Sequence, residues 1–179
     1  MKKNLIVGVA DYRVSNDAGA MLTTYALGSC IGLLLYDAAA RAGGLLHFML
    51  PSSKIDPRKA EQNPAMFADT GIPLLLREMQ KLGAERKRLV AHLAGGSRIL
   101  DQEGLFNIGN RNHVAARNLL WRAGVMIENE SVGGTLMRSV GLHIATGQIW
   151  LKQQQHSAPD VNGADEKGEY RGLPCSGGR

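Results

Sequence analysis

Short apolar runs bounded by Gly, Pro and polar clusters divide most of this chain into strand-length pieces. Two longer stretches carry a helical period instead. Residues 5–10, rich in Val, Ile and Leu, predict a strand. Residues 11–20 are polar and read as a loop. Residues 21–27 are apolar apart from two threonines and end at Gly28. Residues 31–36 and 44–50 are apolar runs separated by residues 37–43. Their length and their flanking Gly and Pro predict two strands paired as a buried hairpin, with Pro51 stopping the second.

Residues 52–63 read as a polar loop. Asn63-Pro64 predicts a helix start, because Asn caps and Pro costs nothing at the first helical position. Pro73 then predicts a kink or a division into two segments. Leu75, Met79 and Leu82 fall at i, i+4 and i+7 on one face, and Gly83 stops the helix. Residues 89–93 predict another strand, closed by Gly95-Gly96. Ala116, Leu119, Leu120 and Ala123 form a helical stripe within 110–123, and Gly124 follows as a stop. Residues 125–130 alternate like a strand. After Gly133-Gly134, residues 140–144 and 148–152 predict a closing hairpin. From 156 to 179 no period survives, and Pro, Gly, Ser and acidic residues dominate. The expected organisation is one α+β (mixed α/β) domain over 1–155 followed by a disordered tail over 156–179.

Composition narrows the function classes. The 179 residues are 44% hydrophobic and 21% charged, which places the chain among globular proteins. No apolar run reaches the length of a membrane span, and the N-terminal stretch is too short for a secretory signal. Two cysteines, Cys30 and Cys175, cannot form a disulfide framework, so a cytoplasmic setting is expected. The net charge of +5 is accompanied by only 5% aromatics. Nucleic acid is therefore a poor fit as a partner, and an acidic protein surface a better one. The densest basic stretch, Glu85-Arg86-Lys87-Arg88, reads as a solvated turn. The glycine pairs at 95–96 and 133–134 lack the Lys-Ser/Thr ending of a phosphate loop and read as tight turns. No HExxH, CxxC or paired His spacing gives a metal site local support.

One constellation remains. Cys30 follows a Gly-Ser turn at the mouth of the first hairpin strand, and His47 is the polar side chain within the apolar second strand. In an antiparallel hairpin the start of one strand lies near the end of the other, so the two can meet. A neighbouring imidazole stabilises a thiolate, and turned-in N–H groups near Ser29 and Cys30 can face a developing oxyanion. The alternative is a small buried hydrophobe beside a histidine satisfied in the core. The residues alone leave both open.

Together, Leu27-Gly28-Ser29-Cys30-Ile31, the His-Phe-Met-Leu-Pro of 47–51 and the 17-residue step from Cys30 to His47 resemble the CheD family of chemoreceptor glutamine deamidases. The resemblance continues in order through Gly95-Gly96, Ile108-Gly109-Asn110-Arg111-Asn112, Val132-Gly133-Gly134 with Arg138, and Thr146-Gly147, and so covers about 5–152. It implies a sheet sandwich with helices packed outside. It also implies a Cys nucleophile at Cys30, a His base at His47 and a Thr at Thr24, with Thr23 as its close rival. The implied substrates are glutamines of methyl-accepting chemotaxis receptors, whose cytoplasmic domains are rich in Glu and Gln. The implied product is glutamate, formed through a thioester with no cofactor. A CheC-type phosphatase is a further implied partner, and a non-catalytic receptor- or phosphatase-binding module is the competing reading. Met66-Phe67 and His92 depart from the family pattern.

Overall fold

The computed structural model describes residues 3–98 and 107–155, together with the backbone of 171–173. The chain begins with β1 (Lys3–Ile6), β2 (Asp11–Ser15), β3 (Ala20–Leu27), β4 (Ile31–Asp37) and β5 (Ala42–Phe48). A short helix, α1 (Pro57–Gln62), and a long one, α2 (Ala68–Lys81), follow. Then come β6 (Val90–Gly95), α3 (Ile108–Ala123), β7 (Met126–Val132), β8 (Leu136–His143), β9 (Ile149–Gln155) and β10 (Arg171–Leu173). The strands form two five-stranded sheets, ordered β1-β3-β8-β9-β10 and β2-β5-β4-β6-β7.

The predicted hairpin is β4 with β5, in register from Ile31↔Phe48 to Asp37↔Ala42. Every residue of both strands is buried, so strand alternation feeds two separate cores. Ile31, Leu33, Leu35, Leu46 and Phe48 pack against Ile72, Leu75 and Met79 of α2 and Ala116 and Leu120 of α3. Leu34, Tyr36 and Leu45 face the other way, onto Leu22, Val140 and Leu142 of the first sheet. The result is a sandwich of two sheets with a helical layer, as expected, but the helices cover the second sheet alone. The outer face of the first sheet carries Tyr25 and Trp150, their rings 6.4 Å apart.

Several boundaries differ from expectation for identifiable reasons. Residues 11–15, read as loop, form β2. This is an edge strand on β5, where half-exposed polar side chains are compatible with ladder pairing. The helix expected from Asn63 starts at Ala68. Asn63 caps only a single 3₁₀ turn, accepting from the Ala65 N–H. The long helix then begins with Asp69 accepting from Ser52 and Ser53, which places a carboxylate at its positive end. It runs through Pro73 without dividing. Pro73 lies on the exposed face, where the carbonyl it leaves unpaired can turn to water. The tail expected over 156–179 lies outside the described residues, except that Arg171–Leu173 pairs antiparallel with Leu151–Ile149.

The basic turn at 86–88 is not wholly solvated. Arg88 reaches Asp37, which is fully buried at the end of β4, with an N···O distance of 2.9 Å. Burial alone would raise that carboxyl. The Arg88 guanidinium, with the N–H groups of Glu85 and Ala40, instead holds it below its ordinary value. Arg88→Ala leaves a buried carboxylate without its cation. The expected loss is about 3 kcal/mol of unfolding free energy, read from urea denaturation at neutral pH.

Candidate active site

Alternation along three strands decides which side chains meet between the sheets. On β5, Leu45 and His47 point inward toward the first sheet, while Leu46 and Phe48 point to the helices. On β4, Gly32 is the register partner of His47. A Cβ at Gly32 would lie 2.9 Å from Leu27 and 3.5 Å from Thr24, so that position also faces the first sheet. Cys30, two residues before Gly32, packs against the same core between the sheets. Cys30 directly precedes β4, and His47 stands opposite Gly32 near that end of the hairpin, so both lie at the same end of the β4–β5 pair.

The third side chain comes from the opposite sheet. Thr24 on β3 places Oγ1 2.8 Å from Nδ1 of His47. The same hydroxyl donates its proton to the Val7 carbonyl, also at 2.8 Å. A hydroxyl has one proton, so toward His47 it can only accept. The hydrogen bonds therefore require the proton of a neutral His47 to sit on Nδ1. Nε2 keeps its lone pair, and it is buried without a hydrogen-bond partner. Thr23 points to the other face of β3 and donates to Asn4 instead.

Burial dominates the electrostatics. His47 is 1% exposed, and desolvation pulls its pKa from 6.5 to about 4. Burial likewise pushes the Cys30 thiol up, against a smaller lowering by its own backbone N–H. Both shifts favour an uncharged thiol and imidazole. A thiolate stabilised by a charged neighbour is therefore not the resting state that this environment selects.

The Cys30 turn is held by its carbonyls. Gly28 O accepts from the N–H and the hydroxyl of Ser97, and Cys30 O accepts from the Gly96 N–H. Ser29 O accepts from the side chain of Asn112. Among the described residues no hydrogen bond ties the N–H of Ser29 or Cys30 to another residue, and the Cys30 N–H faces its own thiol. The glycine motifs are part of this scaffold. Gly95, Gly96, Gly133 and Gly134 all have positive φ, as tight turns require. A Cβ on Gly95 would meet the Cys30 carbonyl at 2.2 Å, and one on Gly109 would meet that of Gly96 at 2.3 Å. Arg138 is buried and donates to Gly133 O and Leu136 O, fixing the neighbouring turn. Sequence reasoning missed Ser97 and Asn112 as tethers, because a polar residue in a loop or on a helix carries no signal of the carbonyl it will bind.

The family model described as CheD chemotactic sensory transduction matches residues 49–153. A probable chemoreceptor glutamine deamidase CheD of Solibacter usitatus is 49% identical over 166 residues, covering 93% of this chain and 98% of that protein. The chain belongs to the CheD family. A probable CheD 1 of Syntrophus aciditrophicus is 47% identical, covering 83% of this chain and 93% of its own. A probable CheD of Pyrococcus abyssi is 37% identical over 86% of this chain and 93% of its own. Membership across these relatives thus extends over nearly the whole CheD length. No helix among the described residues is long and apolar enough to cross a membrane.

Proposed function

We propose that this CheD-family protein deamidates glutamine side chains in the cytoplasmic domains of methyl-accepting chemotaxis receptors, with Cys30 as nucleophile, His47 as general base and Thr24 as its orienter. One observation carries the reading: a buried histidine whose tautomer is imposed by Thr24, leaving Nε2 unpartnered on the face that Cys30 shares. Most buried ring nitrogens find a hydrogen-bond partner, and an open lone pair on Nε2 is what a general base needs.

The chemistry follows from neutral partners. The Cys30 thiol proton passes to Nε2 of His47 as sulfur attacks the carboxamide carbon. The oxygen gains negative charge opposite the N–H groups of Ser29 and Cys30. His47, now protonated, gives that proton to the departing nitrogen. Ammonia leaves and a thioester remains. Water then attacks the thioester with His47 again taking the proton, and glutamate and the thiol are released. Thr24 accepts from Nδ1–H throughout and stabilises the imidazolium while it lasts. The net charge of +5 suits an acidic receptor surface.

The test is mass spectrometry of a receptor cytoplasmic fragment after incubation with the protein. Conversion of discrete glutamines to glutamate is expected. If none is converted in receptors of the same cell, the reading is lost in favour of a binding module. Thr24→Val removes the acceptor for Nδ1–H while keeping the side-chain shape. Its kcat should fall roughly tenfold to hundredfold, a part of the 10²–10⁴ that a positioned base contributes. Single-turnover rates on the same fragment would check this.

A further inference from the structure

Asn112 lies in the second turn of α3 with its side chain fully buried. Its Nδ2 donates both protons, to Ser29 O at 2.9 Å and to Met49 O at 2.7 Å. Ser29 precedes Cys30, and Met49 follows His47 by two residues. The final rung of the β4–β5 ladder is Ile31↔Phe48. Past that rung the ladder ends, and the Asn112 amide bridges one carbonyl from each side. Two carbonyls can be met only by the nitrogen, so Oδ1 faces elsewhere, buried and without a partner.

This is an expensive way to fill space. The neighbouring inward positions of the helix are Ala116 and Leu120, which pack without polar obligations. A buried amide with half its capacity unmet is disfavoured unless its donors serve a purpose. Gly96 and Ser97 tie the Cys30 turn only to the end of β6. Asn112 joins the Cys30 side to the His47 side. We infer that Asn112 is a positioning residue whose carboxamide sets the separation between the nucleophile turn and the strand that carries the base. This rests on the deamidase reading of Cys30 and His47.

The experiment measures kcat and KM for a receptor cytoplasmic fragment with Asn112→Ala, Asn112→Asp, Cys30→Ala and His47→Ala. Asn112→Ala should lose on the order of 10²-fold in kcat, as expected for a misplacement near 1 Å, with KM changed little. Asn112→Asp sets a carboxylate against two carbonyl oxygens, so it should be at least as impaired at pH 7. Its activity relative to wild type should rise as pH falls, because a protonated carboxyl donates one of the two bonds. A residue that merely fills the core gives no such recovery. An unchanged kcat in Asn112→Ala, or a ratio flat with pH in Asn112→Asp, overturns the inference. If neither variant folds, the wild-type side-chain amide decides by NMR: slow exchange of both Asn112 protons supports the clamp, and fast exchange overturns it. An active Cys30→Ala would instead bring down the deamidase site itself, and the clamp with it. An inactive Cys30→Ala beside a fully active Asn112→Ala removes only the clamp.

Discussion

Cys30→Ala should reduce glutamine conversion by roughly 10³–10⁶-fold, the range seen when a covalent nucleophile is removed, with folding unaffected. Cys30 is half-buried against the core between the sheets, and alanine fits there without strain. Its carbonyl, not its side chain, carries the tether to Gly96. The loss is therefore chemical rather than structural, and circular dichroism of the variant should overlay that of wild type. Alkylation of the wild-type thiol adds a second readout. Because burial raises this thiol, its reaction with iodoacetamide should be slow at neutral pH and climb through a pKa above the ordinary thiol value. A reactive plateau below that value would mean that an ion pair already exists at rest, contrary to the neutral pair described above.

His47→Gln should cost 10²–10⁴-fold in kcat, the contribution of a positioned general base, as measured in the same conversion assay. The pH profile carries the sharper expectation. A base with a pKa of about 4 stays neutral well below pH 6.5, so kcat/KM should hold until the solution approaches pH 4 and then fall. An exposed histidine would begin to fail near 6.5. Stability is linked in a definite direction. The folded pKa lies below the unfolded one, so from 6.5 down to about 4 the unfolded chain binds this proton and the native protein does not. The native state is therefore penalised as pH falls through that window, by up to about 3 kcal/mol at its lower end. Above pH 7 the penalty vanishes. Urea unfolding across the window should show wild type losing more stability than His47→Gln, and parallel curves would refute the linkage.

The hairpin, with His47 on β5 and Cys30 just before β4, was legible because two uninterrupted apolar runs at strand length leave few alternatives to a doubly buried pair. The long helices were legible from their stripes, although α2 starts at Ala68 rather than at Asn63, since a capping residue serves a single 3₁₀ turn as well as a helix. The strand β2 was not legible. Its Asp-Tyr-Arg-Val-Ser spelling is that of an edge, and an edge is defined by the partner it pairs with. The parallel pairing of β1 with β3 is also invisible locally, because it is a choice of neighbour. The resemblance implied Thr24 over Thr23, and Thr24 is the one whose hydroxyl meets His47, because adjacent residues of one strand face opposite ways. Asn112 was quoted within a motif but without a role. Its meaning lies in two carbonyls that arrive from 83 and 63 residues away.

Those separations bear on how the protein matures. The turn around Cys30 is made early in synthesis, yet its fastenings come from Gly96, Ser97 and Asn112, far downstream. A growing chain that has displayed Cys30 and His47 but not yet delivered α3 has no clamp across their strands. Closing such long loops is slow compared with forming a local hairpin. On the proposed reading of Cys30 and His47, their strands are fastened together only when α3 docks, so a chain cut before α3 is expected to be inactive in the glutamine-conversion assay.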